Sequence, residues 1–218
     1  MRLVRMLGIA VIAASLAALI GTASAMAETP LEEVVWCKAH EIPCRAENIL
    51  PAGTIAHAKA TNTVFITTLG NIACGSSAMT LTNSNTQKLV HGEVTSLTFG
   101  NCALEKTSCT VEALHLAWLY KGELQANNKD YEVLMTEKGT NGEPQLKVKC
   151  GALVSCTFGA ANILFAALLS LPLEELNVSQ ELNRIGGLCP SLVVLHAEYE
   201  AECLGNTGQL IACWIKME

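Results

Sequence analysis

The sequence predicts a mainly β fold, a β-sandwich or related all-β arrangement stabilised by disulfides and preceded by an N-terminal signal helix. Three observations predict it. Short β-branched and threonine-rich runs recur between glycine and asparagine turns. Ten cysteines spread from Cys37 to Cys213. The first 27 residues read as an export signal, and every cysteine lies after it.

Residues 1–27 carry Arg2 and Arg5, then the apolar run Leu7–Ile20, then the small-residue sites Ala23-Ser24-Ala25 and Ala25-Met26-Ala27. This is the n-region, h-region and cleavage pattern of a signal peptide. Cleavage after Ala27 leaves twelve basic and twenty acidic residues, a formal charge of −8. Nucleic acid requires clustered cations, and Lys147-Val148-Lys149 is the nearest thing to a cluster. Nucleic-acid binding is therefore not expected. Export places the chain outside the cytoplasm, secreted or at the cell surface.

After the signal, 28–52 reads as a polar lead-in in which Cys37 and Cys44 close a small loop. The rest, 53–218, reads as one β-rich domain or two related β units. Strand signals cover Thr54–Ala58, Thr63–Thr68, Ala78–Thr82 and Leu89–Phe99, the last interrupted at Gly92 and ending at the turn pair Gly100-Asn101. Cys74-Gly75-Ser76-Ser77 reads as a strand end and turn. Cys109–Tyr120 alternates with a change of phase near Leu114, and a helix competes there because Glu112–Ala117 are good helix formers. Tyr131, Val133 and Met135 alternate with polar neighbours. Leu146, Val148 and Cys150 do so most cleanly.

Cys150–Leu173 contains no charge, a length that could cross a bilayer. Gly159–Asn162 interrupts it, so two buried strands, Leu153–Phe158 and Ile163–Leu169, are expected. Glu174–Arg184 leaves room for a short helix. Leu192–Tyr199 returns to alternation, and Gln209–Ile215 is expected to dock as an edge or closing strand. Thr-Phe-Gly occurs beside a cysteine twice, at Thr98–Gly100 and Thr157–Gly159.

All ten cysteines, Cys37, Cys44, Cys74, Cys102, Cys109, Cys150, Cys156, Cys189, Cys203 and Cys213, are disulfide candidates. The close pairs Cys37/Cys44, Cys102/Cys109 and Cys150/Cys156 suggest local ties. Cys74, Cys189, Cys203 and Cys213 remain for two longer links, with Cys189 joined to one of the last two. Spacing alone leaves the connectivity open. Zinc signatures want tighter Cys-x2-4-Cys pairs, so no metal or cofactor is expected.

No Gly-x-Ser-x-Gly, His-Glu-x-x-His or phosphate loop occurs. Ser76, Ser77, Ser96 and Ser155 are nucleophiles on paper only. His196 and Glu198 share a strand face, which Glu200 continues as a polar row. Trp36, Trp118 and Trp214 suit core or rim packing, and Asn177-Val178-Ser179 matches a glycosylation acceptor.

The segments Ala73–Thr82, Gly92–Cys102, Val148–Gly151, Cys156–Phe158 and Gly187–Ser191 together resemble a group of secreted, cysteine-containing β-rich proteins of actinobacteria. The resemblance spans roughly 54–200 and implies export and disulfide-bonded β structure. It brings no activity or catalytic residue. The pair Cys203/Cys213 and the apolar run after Cys150 depart from it.

These observations favour a non-enzymatic structural or binding protein whose partner is a protein or cell-envelope ligand. One alternative is a secreted hydrolase whose residues converge from distant strands, with His115 or His196 beside a carboxylate and a hydroxyl. The other is a membrane-associated protein using 153–171.

Overall fold

A computed structural model describes residues 34–41, 43–84, 90–124, 131–136, 143–152, 154–168, 174–204 and 208–217. All belong to the second of two compact units, Glu32–Glu218. The signal segment 1–27 lies outside the described residues, as do the turn 126–130 and most of the turn 139–144.

Fifteen strands are described: β1 (Val34–Cys37), β2 (Ile55–Ala60), β3 (Thr63–Thr67), β4 (Gly70–Asn83), β5 (His91–Leu104), β6 (Thr107–Leu114), β7 (Trp118–Leu124), β8 (Tyr131–Thr136), β9 (Gln145–Cys150), β10 (Val154–Gly159), β11 (Ile163–Leu168), β12 (Glu174–Gly186), β13 (Leu192–Leu204), β14 (Leu210–Ala212) and β15 (Trp214–Met217). The helical content among the described residues is one 3-10 turn, Ala46–Asn48. Strands β2 to β14 form one antiparallel sheet, and β1 pairs separately with β15.

The sheet closes on itself as a β-barrel with extra strands, so of the two arrangements expected, a sandwich or a related all-β fold, it is the second. A sandwich leaves sheet edges, whereas here every strand of two circuits has a partner on both sides. The first circuit runs β2-β4-β5-β7-β8-β11-β12-β13 and returns to β2. The second runs β3-β4-β5-β6-β9-β10-β12-β13 and returns to β3. Four strands of 13 or 14 residues, β4, β5, β12 and β13, belong to both. Closure removes the exposed edges that invite association.

Alternation accounts for the inside. On β13, Val193, Leu195, Ala197, Tyr199, Ala201 and Cys203 are buried, while His196, Glu198 and Glu200 are exposed. The same core holds Phe65, Met79, Trp118, Met135, Val148, Phe158 and Leu182. Alanines at 56, 58, 60, 197 and 201 leave room among the bulky rings. Phe65 meets Phe99 edge-on, and Phe165 meets Tyr199 likewise, a geometry ring quadrupoles favour. Trp36 of β1 joins this core and donates its indole N–H to the Tyr120 hydroxyl at 3.3 Å.

Several local expectations are corrected. Gly100-Asn101 and Gly75-Ser76 are not turns. They lie mid-strand, with Ser76 directly opposite Gly100. There the inward phase of β4 changes from even residues (Ile72, Cys74) to odd ones (Ser77, Met79, Leu81), and Asn101 takes positive φ. The flexible residues mark the passage from one circuit to the other. No interruption occurs at Gly92. A Cβ there would overlap the Thr82 carbonyl oxygen and the Tyr120 ring, so glycine is required for close packing. The irregularity falls nearby, where β4 and β5 shift register between Thr80 and Leu81.

Cys109–Tyr120 is neither a helix nor one strand. It is β6 and β7, broken at 115–117, where His115 and Ala117 adopt positive φ. Glu174–Arg184 is strand rather than helix because the short strands β11 and β10 on one side and the long β13 on the other hydrogen-bond it. Gln209–Ile215 divides into β14 and β15 at Cys213. The uncharged run after Cys150 contains the two expected strands, β10 and β11, whose Phe158, Ile163 and Phe165 enter the core.

Candidate functional site

Three features concentrate chemistry: a row of cysteines in the second circuit, a buried hydroxyl group between the circuits, and a polar outer face.

All ten cysteines are bridged: Cys37–Cys44, Cys74–Cys102, Cys109–Cys150, Cys156–Cys189 and Cys203–Cys213. Cys37/Cys44 is as expected. The expected ties Cys102/Cys109 and Cys150/Cys156 are corrected, and so is a link from Cys189 to Cys203 or Cys213. Register is the reason. Cys74 lies opposite Cys102, Cys102 opposite Cys109, and Cys109 opposite Cys150. Four buried cysteines therefore form one row across β4, β5, β6 and β9. Each inner cysteine has two sulfur neighbours, and spacing along the chain cannot say which it takes. The two bridges in the row join directly opposed strand residues, with Cα separations of 3.8 and 4.1 Å.

The hairpin ends β3-β4, β5-β6, β9-β10 and β12-β13 all lie at the far end of this circuit from the first one, and three of the bridges sit just behind them. At these ends Leu69 is 59% exposed and Leu188 97%. The turn 187–191 is pinned by Cys156–Cys189 and by the Arg184 guanidinium, which donates to the Cys189 carbonyl. Gly187 has φ +91°, and a Cβ there would overlap the Ser155 carbonyl oxygen.

Between the circuits, the Ser77 hydroxyl bonds the Tyr199 hydroxyl, and both residues are buried. Thr63 Oγ1 is fully buried beside Tyr199 without a hydrogen bond of ordinary geometry. Burial pushes the Tyr199 phenol above its usual range, partly offset by Ser77 and Thr63. Tyr120 is pushed up for the same reason, partly offset by Trp36.

The histidines named by the sequence stand outside. His115 is exposed in the β6-β7 break. His196 is exposed on the outer face of β13, opposite Ser179 and Val64, in one row with Glu198 and Glu200. Glu200 faces Glu175 on one side and Lys59 on the other. Of the paper nucleophiles, Ser77 is buried, Ser76 and Ser155 are exposed, and Ser96 is half-buried. Asn177 is half-buried within β12. Trp36 and Trp118 are core residues, and the Trp118 indole donates to the Leu114 carbonyl at 3.0 Å.

Cys37, Cys44 and Glu41 hold potential ligand atoms within 4.8 Å of one another. Both sulfurs are already joined to each other, so neither offers a thiolate to a metal. The Glu41 carboxylate accepts from the Asn48 amide and from the Arg45 backbone N–H, which together hold its pKa below the usual carboxylate range. Among the described residues, no helix is long and apolar enough to cross a membrane. No family model, no curated protein and no solved structure matches the chain.

Proposed function

We propose that this chain is an exported structural or binding protein, working in the secreted space or at the cell surface against a protein or cell-envelope ligand. One observation carries the reading: every cysteine is paired, which is the state an oxidising compartment produces and maintains. The signal-like residues 1–27 and the resemblance to secreted actinobacterial proteins support the same address. The barrel interior is filled by apolar side chains, so contact with a partner belongs to the outside. Outward positions such as Thr98, Lys149, His196, Glu198 and Glu200 are polar and suit water.

The test is expression of the full chain in a bacterium with a working secretion pathway, followed by fractionation, thiol counting and titration of the mature protein onto washed cell envelopes. The expected result is a processed, thiol-free protein in the medium or on the surface, with saturable envelope binding. Retention in the cytoplasm with free thiols would overturn the reading.

A further inference from the structure

Exposed apolar side chains gather at the rim of the second circuit. Of the eight large hydrophobics exposed among the described residues, Ile66, Leu69, Ile185, Leu188 and Leu192 belong to two hairpins, β3-β4 and β12-β13. These hairpins are neighbours, because Ile66 of β3 lies opposite Val194 of β13. Ile66 and Leu192 point outward, since Phe65 and Val193 beside them are buried. Leu69 and Leu188 stand in the turns. No charge dilutes them: 60–87 and 185–195 contain no Asp, Glu, Lys or Arg. Single apolar residues are ordinary on a surface, whereas a contiguous uncharged patch marks a contact.

The other two hairpins, β5-β6 and β9-β10, bring cations to the same rim: Lys106 in one turn and Lys149 just before Cys150, both exposed. The second circuit's own strands and turns hold the cations Lys106, Lys147, Lys149 and Arg184 against the anions Glu105, Glu112 and Glu181, a net of +1. Residues 28–218 total −8, so the remainder carries −9. Salt screens charge beyond about 8 Å, so a surface laid on the rim meets the local balance rather than the total.

We infer that this rim docks on an anionic lipid bilayer. The leucines of the β3-β4 and β12-β13 turns enter below the headgroups, while Lys106 and Lys149 meet the phosphates. The inference rests on the exported binding role proposed above and names its cell-envelope ligand. Two features favour a bilayer over a protein. Leu188 is 97% exposed, and a side chain standing so clear needs a matching socket in a protein partner, whereas fluid acyl chains need none. Apolar insertion beside cations is also the combination that interfacial binding to anionic lipid uses, each part adding to the other. The turns are ordered in advance. Cys156–Cys189 and the Arg184 bond to the Cys189 carbonyl hold 187–191, and Cys74–Cys102 and Cys109–Cys150 stand behind the other hairpins. Little ordering cost is left to offset the gain on insertion.

The test uses the processed, oxidised protein with three probes: phosphatidylcholine vesicles containing phosphatidylglycerol, phosphatidylcholine vesicles alone, and washed cell envelopes. The native chain should float with the anionic vesicles, less with the neutral ones, and less as salt rises. Leu69→Ser combined with Leu188→Ser should weaken binding to the anionic vesicles at least about tenfold, as loss of buried leucine surface implies. Lys106→Gln combined with Lys149→Gln should remove the preference for anionic lipid. Leu210→Ser, exposed on β14 away from this rim, should bind as the native chain does. An unchanged urea midpoint shows that each variant is folded. A leucine variant that floats like the native chain would overturn the inference. So would a native dimer that the leucine variant turns into a monomer, which assigns the rim to a second copy. If the native chain binds envelopes but neither vesicle, the exported binding role stands and the lipid contact fails. If it binds none of the three, both fail.

Discussion

At the scale of single residues, the buried hydroxyl of Tyr199 shows how polarity is tolerated in this interior. An unpaired hydroxyl in an apolar core is costly, and pairing offsets much of that cost. Ser77 supplies the pairing from β4, across the barrel wall. Tyr199→Phe leaves Ser77 buried without this partner, with an expected loss of about 1–3 kcal/mol in urea denaturation. The same residue sets a pH dependence. Its folded pKa lies above the unfolded one, so its contribution is fully present below the unfolded value of about 10 and declines as pH rises beyond it. Tyr120 acts in the same direction. Stability measured across alkaline pH should therefore fall above about pH 10. The fall should be shallower in Tyr199→Phe, and an identical slope in the variant would count against this account.

Among elements, the informative places are the forks where two short strands succeed one another along a long one. Strand β12 pairs with β11 up to Asn177 and with β10 from Asn183. Between them Gln180 fills the gap. Its Oε1 accepts from the Leu164 backbone N–H at 2.6 Å, and its amide donates to the Asn162 carbonyl. A side chain thus replaces the ladder where the ladder divides. At the β6-β7 fork, the Leu114 carbonyl receives the Trp118 indole, and Ala117 N–H donates to the Val94 carbonyl. Gln180→Ala should leave two backbone groups unpaired, costing about 1–3 kcal/mol. Hydrogen exchange at the Leu164 amide should accelerate more than at Val133 on the neighbouring strand β8. Uniform acceleration would mean that Gln180 is not a local closure. These forks also explain what the chain reveals by eye. Strands such as β9 and β13 are legible because one face is buried and the other wet. The continuity of β4 and β5 through Gly75-Ser76 and Gly100-Asn101 is not, since residues that permit a turn also permit a change of phase within a strand. Glu174–Arg184 hides its strand character for a different reason: its apolar inward residues, Leu176, Val178 and Leu182, are diluted by outward glutamates and asparagines.

For the molecule as a whole, the sharing of β4, β5, β12 and β13 makes two circuits into one cooperative object. The candidate cysteine row depends on this. Its register comes from ladders between residues up to 41 positions apart, which no local spacing encodes. Two barrels joined by a linker would unfold separately. Here, opening the first circuit strips partners from half of each long strand, and the second circuit cannot close without those strands. The core crosses the shared strands without a break, from Trp36 and Tyr120 to Val111 and Val148. With its disulfides intact, the chain should show one urea transition, coincident when followed by tryptophan fluorescence, whose reporters include Trp36 and Trp118 of the core, and by far-ultraviolet circular dichroism, which reports all strands. Native-state hydrogen exchange should then give the same limiting free energy for core amides of β7 and β8 as for those of β6 and β9. Separate transitions, or a second circuit that keeps its protection after the first has lost it, would show that the shared strands do not couple the two halves.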